Sequence, residues 1–459
     1  MTGSTGALDR SQPPRLGPSP DFRFPDFERR SLGALEILVL PRHELPIFEA
    51  TLLCPSAGAD RQSVETPGIA AFAAACLMEG TDEHEAVAFG RASERLGGYV
   101  SSGASWDSAA ISGGALAPHF DEILELMAAA YLRPRFAETD VARVRSRRLS
   151  ELARRQADPS ACASMRLLSE IYGDDLYAKP LIGTAESLEA LDDASVREFW
   201  HHRRLDGACL VVAGDVDIEG VIATCERVLE PLLSAPANAS GEGASPSYDG
   251  PRVPATRVRI IDRPEAAQTQ WVVGHDGPGR LHAQRPALRL LNGILGGKFS
   301  SRINLNLRER NGFTYGASSS FAARRHAGPF AITAALETES VAAATRETLG
   351  EIERIRENLV EPAELDETLR YMQGVQPYTF QSLSGWSSAL SILGVLGLPD
   401  NWLDQQNSAL ARVDREEIRE VARLCLHPDR LAIIAVGPGE ELAKQFDDIA
   451  DVAVEHAGT

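Results

Sequence analysis

Two stretches of this chain, about 200 residues apart, read alike, and a duplication of that length limits the folds open to it. Phe120-Asp121-Glu122-Ile123-Leu124-Glu125, running on through Arg133-Pro134 to Glu138, parallels Thr348-Leu349-Gly350-Glu351-Ile352, running through Glu361-Pro362 to Glu364. Val196-Arg197-Glu198, followed by Leu210–Gly214, parallels Ile418-Arg419-Glu420, followed by Ala432–Gly437. The period is too long for a solenoid, whose units are about 20–50 residues. It fits a duplicated domain, so the 459 residues are read as two large units rather than three of average size. With 44% apolar and 24% charged residues, each unit has material for a full core.

The order of elements repeats as well. Apolar runs at 32–40 and 46–54 read as strands, and Thr66-Pro67 reads as the cap and first turn of a buried helix that Gly80 stops. Alternating strands follow from Tyr99 to Ala115, then helices to about His202 and a buried strand near 207–216. Residues 235–254, rich in Ala, Ser, Gly and Pro, read as a linker. After it the order begins again. The expected architecture is α+β: two homologous α/β domains, at 31–234 and 255–459, each a mixed and largely antiparallel sheet with helices packed on it. Residues 1–30 hold five prolines and no apolar signal core, and read as an extended arm.

The stretch most open to chemistry is Leu295-Gly296-Gly297-Lys298-Phe299-Ser300-Ser301-Arg302, continuing through Leu307-Arg308-Glu309-Arg310-Asn311-Gly312-Phe313-Thr314-Tyr315-Gly316. The Gly pair ends one helix, Ser300 is placed to cap a short second one, and Asn311-Gly312 offers a left-handed stop before a strand. Arg308 then sits in a helix's last turn and Tyr315 near a strand's start, where both could donate hydrogen bonds to one carbonyl oxygen. Spacing alone leaves open a surface Arg and a half-buried Tyr.

This block resembles the arginine/tyrosine segment of the pitrilysin (insulinase) family of zinc peptidases. The resemblance implies that Arg308 and Tyr315 complete an active site whose zinc is held elsewhere. In that family the first buried helix carries His-x-x-Glu-His, two imidazoles one turn apart with a carboxylate between them. Here Gly68 and Gly80-Thr81 match the frame around the motif, and its three positions fall on Ala71, Ala74 and Ala75. Alanine can neither ligate nor accept a proton. The third family ligand corresponds to Glu151, which also reads as an ordinary helix charge. None of the ten histidines restores the spacing, so no metal is expected in this chain.

Other signals fall away. Gly297-Lys298 lacks the first Gly and the Ser/Thr of a phosphate loop. The six cysteines are scattered and read as buried free thiols, and Cys76 has no base near it in sequence. A net charge of -19 disfavours nucleic acid and anionic membranes and attracts cationic peptides. No apolar run is long enough for a membrane span, and a cytoplasmic location is the default, a periplasmic one remaining open.

The resemblance implies a subunit that is inactive alone, paired with a homologous subunit that carries His-x-x-Glu-His and the zinc. The substrate implied is an extended peptide added to a sheet edge, with Tyr99, Ser101, Ser102 and Gly103 as the strand that receives it. Two rival roles stay open: a non-catalytic structural core subunit of a larger complex, and a peptide-binding chaperone.

Overall fold

Two runs, Cys209–Gly214 and Ala432–Gly437, are buried at every position, the condition of a strand covered on both faces. A six-stranded sheet is built around each. The structure, a computed structural model, describes residues 22–235, 252–446 and 451–456. Most of the expected linker and residues 1–21 of the expected arm therefore lie outside the described residues.

In the first half the strands are β1 (Glu28–Leu32), β2 (Leu35–Pro41), β3 (Ile47–Cys54), β4 (Tyr99–Ala104), β5 (Ala109–Leu116) and β6 (Cys209–Gly214), in the order β1-β2-β6-β3-β5-β4. In the second they are β7 (Arg257–Asp262), β8 (Thr269–Pro278), β9 (Ala317–Phe321), β10 (Ala327–Leu336), β11 (Ala432–Gly437) and β12 (Asp451–His456), in the order β12-β7-β11-β8-β10-β9. Leaving out β1 and β12, the two orders are the same. β2 with β6 and β7 with β11 are parallel, and β3, β5 and β4 match β8, β10 and β9 as antiparallel neighbours. The duplication read from the letters is thus a duplication of topology. The sixth strands differ, since β1 joins its edge antiparallel and β12 joins parallel.

The helices that frame the sheets and the loops between them include four in the first half: α1 (Ile69–Cys76), α2 (Phe120–Leu132), α3 (Glu138–Ala157) and α4 (Pro159–Tyr172). The second half supplies α5 (Arg285–Leu295), α6 (Val341–Glu357), α7 (Pro362–Thr379) and α8 (Leu383–Leu396). One face of each sheet packs on its own helices, as Ile37, Leu52 and Ile111 do on Phe72, Leu124 and Met127.

The other face is covered by a helix from the opposite half. Ala163, Leu167 and Ile171 of α4 lie on Val272, Ile434 and Val436 of the second sheet. Trp386, Leu390 and Leu393 of α8 lie on Leu38, Leu40 and Val211 of the first. Each half supplies a wall of the other's core, so neither core closes alone.

Two local expectations change. β1 begins at Glu28, inside the stretch read as an arm; its side chains before Leu32 are polar, and it is held by pairing with β2 and by Arg29 with Glu36. Phe22 and Phe24, just before it, pack on Phe380 and Trp386. α1 starts after Gly68 rather than at Thr66-Pro67, because the side-chain oxygen of Gln62 accepts from the N–H groups of Gly68 and Ala70 at 3.1 and 3.3 Å. That cap comes from upstream and no local motif announces it. Gly68 has φ 92°, and a Cβ there would stand 2.4 Å from the Gly183 backbone.

Candidate functional site

The segment after α5 is tied down by its polar side chains. Lys298 and Ser300 both donate to the Glu367 carboxylate, at 2.7 and 3.0 Å. Ser300 is thereby taken from the capping role read from the sequence; Ser301 stands at the N-cap of Arg302–Asn304 without a side-chain bond. Arg302 closes a two-pronged pair with Glu364 at 2.8 and 2.6 Å. From Leu305 to Arg310 the helix widens into a π turn, in which the Asn311 N–H reaches the Asn306 carbonyl at 3.1 Å. Such turns often mark functional positions. Gly312, at φ 68°, makes the left-handed exit expected there.

Asn304 is the clamp. Its Nδ2 donates to the Phe299 carbonyl at 2.6 Å, and its Oδ1 accepts from the Ala317 N–H at 2.9 Å. One amide therefore fixes the start of the segment against the start of β9. Thr314 donates to the Ala335 carbonyl at 2.7 Å and accepts from the Gly316 N–H at 3.1 Å. Tyr315, held between, is 90% exposed.

Arg308 is carried on Phe299. Its guanidinium lies 4.5 Å from the centre of that ring, and its Nε is 3.4 Å from Glu309. Stacking of this kind contributes about 0.5–1 kcal/mol and orients the fork without using its donors. Phe299 is itself 66% exposed, and with Tyr315, Lys298, Asn304 and Tyr371 it lines a cavity of ≈ 610 Å³. Phe299 thus links the two expected residues, one stacked on it and the other across the same cavity. In the sequence Phe299 is one letter of the block that carries the resemblance, with nothing to mark it as the platform for Arg308.

The first half presents the opposite case. Ala71 and Ala74 are buried and Ala75 is half-buried on α1. The Ala74 carbonyl accepts the Ser102 hydroxyl at 2.5 Å, and the Ala71 carbonyl accepts from Arg148 at 3.4 Å. Arg148 also pairs with Glu151 at 2.7 Å, and Arg155 pairs with it at 2.9 Å. Burial would raise the Glu151 carboxyl, but these two guanidiniums outweigh it and hold the group below its ordinary range. With no imidazole on α1 and the one carboxylate matched by two cations, the residues do not fit zinc.

β4 is an edge strand. Tyr99, Ser101 and Gly103 point to the exposed side, and Ser102 points to α1. Burial, with Glu49 nearby, raises the Tyr99 phenol. The structure therefore brings β4, Ala74, Ala71 and Glu151 into one neighbourhood and Arg308 and Tyr315 into another. Among the described residues no hydrogen bond, ion pair or ring contact joins the two groups.

Two family models match the chain. Residues 50–185 match the insulinase (peptidase family M16) model and residues 191–372 the peptidase M16 inactive domain model. An uncharacterized zinc protease of Mycobacterium tuberculosis is 28% identical over 316 residues, 67% of this chain and 69% of that protein. One from Bacillus subtilis is 22% identical over 383 residues, 82% of this chain and 90% of its own. Among solved structures, a peptidase M16 inactive domain from Pseudomonas fluorescens superposes with a TM-score of 0.80 at 25% identity, covering 90% of this chain and 98% of that one. A protease from Helicobacter pylori, at 18% identity and a TM-score of 0.81, covers 90% of this chain and all (100%) of its own, and shares the fold. This chain belongs to the insulinase (M16) peptidase family.

Proposed function

We propose that this chain is the non-zinc-binding subunit of a heterodimeric zinc peptidase and lends Arg308 and Tyr315 to its partner's active site. The observation that carries the reading is a mismatch within one molecule. The metal positions are filled by alanine, yet Tyr315 stands 90% exposed and shares a cavity with Phe299, the ring on which the Arg308 guanidinium is stacked.

The partner is a homologous subunit with His-x-x-Glu-His, and zinc is the partner's cofactor. In the assembled site Arg308 and the Tyr315 hydroxyl donate to the oxygen of the peptide carbonyl. As negative charge grows on that oxygen, fixed donors stabilise it more than they stabilise the ground state. The substrate is an extended peptide, and the edge of β4 along Tyr99, Ser101, Ser102 and Gly103 offers it main-chain hydrogen bonds. A purely structural subunit has no chemical use for an exposed phenol and a guanidinium held on an exposed ring, which disfavours the scaffold role.

The test is hydrolysis of a quenched fluorescent peptide by the zinc-motif partner, with and without this chain. The chain stimulates the partner strongly, and Arg308→Ala or Tyr315→Phe removes about 10² to 10³ of that rate. A partner that is equally fast alone contradicts the reading.

A further inference from the structure

Three arginines gather at the start of α5. Arg280 lies in the loop before it, and Arg285 and Arg289 lie one turn apart on the one face of the helix that is not covered; Pro286, Ala287, Leu288, Leu290 and Leu291 around them are buried. Arg280 is fixed in place, its backbone N–H donating to the Arg324 carbonyl at 2.7 Å and its guanidinium to the Ala323 carbonyl at 2.9 Å. Arg285 and Arg289 have no side-chain hydrogen bond, ion pair or ring contact among the described residues.

That lack of partners is unusual for arginines so placed. Burial lowers Arg203, Arg204, Arg280 and Arg324 as well, but each of those donates to a carbonyl or stacks on an aromatic ring. Burial pushes Arg285 down to about 10, with Arg280 and Arg289 adding like-charge repulsion, and burial lowers Arg289 too. Arg289 is nevertheless exposed and Arg285 half-buried, so both side chains are open to water. The facing carboxylate is Asp107, whose charge acts on Arg280 and whose Oδ1 accepts the Arg325 N–H at 2.9 Å. Three guanidiniums against one carboxylate leave a local positive excess in a chain of net charge -19.

The same face of α5 leads to the cavity beside Tyr315. Asn292, one turn on from Arg289, accepts the Ser319 hydroxyl of β9 at 2.8 Å, and Gly296 and Gly297 at the end of the helix line the cavity. At a rise of about 1.5 Å per residue, Arg289 and Arg285 stand roughly 10 and 16 Å from Gly296, a span that an extended peptide covers in about three to five residues.

We propose that Arg285 and Arg289, with Arg280, form an anion site for a carboxylate of the bound peptide, supplied by its free C-terminus or by an Asp or Glu side chain. Guanidinium forks are suited to that group and hold it through paired charge-assisted bonds. The inference rests on a peptide occupying this cavity, as in the proposed function, but not on which subunit cuts it.

Fluorescence anisotropy of the full chain with a short dye-labelled peptide separates the cases. Three versions of the peptide are compared: with a free C-terminus, amidated, and amidated with a terminal Asp. Amidation weakens binding to the native chain about tenfold or more, and Arg285→Gln with Arg289→Gln abolishes the difference. Recovery by the terminal Asp identifies a side-chain carboxylate as sufficient; no recovery assigns the site to the chain terminus. The substituted chain melts no lower than the native one, because no partner is lost, and Arg289→Gln alone serves as a milder second variant. Equal response of native and substituted chains to amidation, or no peptide binding by either, overturns the site. Tyr315→Phe keeps the carboxylate dependence, so failure of the carbonyl-donor reading is seen separately, in hydrolysis.

Discussion

β4 and β9 occupy the same place in two copies of one fold, and they have been finished differently. Each is an antiparallel edge strand with a serine facing an isoleucine across the ladder, Ser102 opposite Ile111 and Ser319 opposite Ile332. In β9 two outward N–H groups are spent: Ala317 donates to Asn304 Oδ1 at 2.9 Å and Ser319 to the Gly296 carbonyl at 3.0 Å. Among the described residues nothing beyond the ladder takes a backbone N–H of β4. An unsealed edge is a template for an added strand, and a sealed one is not. The open edge lies beside helix positions stripped to alanine, and the sealed edge lies beside Arg308 and Tyr315. Duplication kept the scaffold, and under the proposed function it parted two tasks, main-chain holding in one half and carbonyl donors in the other.

The parting does not extend to stability, because α4 and α8 are exchanged between the cores. Trp386→Ala, a substitution in the second half's chain, removes an indole packed on Phe24 and Phe380 over the first sheet. It costs about 3–5 kcal/mol, and denaturant unfolding still shows one transition for both halves. A variant that unfolds in two steps would break the picture of mutually dependent cores.

Acid sharpens the contrast. By register, His275 in β8 takes the place of Cys54 in β3, each following the residue opposite the first position of the central strand, Gly274 with Ala432 and Leu53 with Cys209. His275 bonds the Asp276 carbonyl through Nδ1 at 2.5 Å and accepts the His427 N–H through Nε2 at 3.3 Å, which requires the neutral ring. Burial pushes its pKa down to about 3. The unfolded chain binds this proton near pH 6.5 and the folded chain does not, so this contribution is complete above pH 6.5 and is lost on acidification toward pH 3. The loss runs at about 1.4 kcal/mol per pH unit. His275→Gln removes that slope from stability measured against pH, and an unchanged slope contradicts the assignment.

Asn304→Ala tests the sealed edge. It leaves the Phe299 carbonyl and the Ala317 N–H unpaired, costs about 1–3 kcal/mol and speeds amide exchange at Ala317. Ser102→Ala tests the open edge with the smallest effect. Loss of the bond to the Ala74 carbonyl costs about 0.5–1.5 kcal/mol, and peptide affinity stays within about twofold because main-chain pairing is untouched. A large fall in affinity would mean that the hydroxyl, not the edge, holds the peptide.

The duplication and the two mixed sheets with packed helices were legible because they lie in periodic or contiguous letters. What was not legible depends on which distant group reaches a position. Gln62, and not Thr66, caps α1; Glu367 draws Ser300 away from its expected cap; and the polar β1 carries no apolar signal to separate it from an arm. Arg308 and Tyr315 could be named from the sequence, but not Phe299 beneath one of them or Asn304 tying the segment to β9. Nothing in the letters of α4 and α8 says that each buries a face in the other half.

The most direct measurement is the kcat of the zinc-motif partner at saturating concentrations of the Tyr315→Phe chain. Removing only the phenolic hydroxyl leaves the surface that the partner contacts, so the half-saturating concentration is expected to stay unchanged while kcat falls by about 10² or more. A kcat equal to that with the native chain would contradict a donor acting across the subunit boundary.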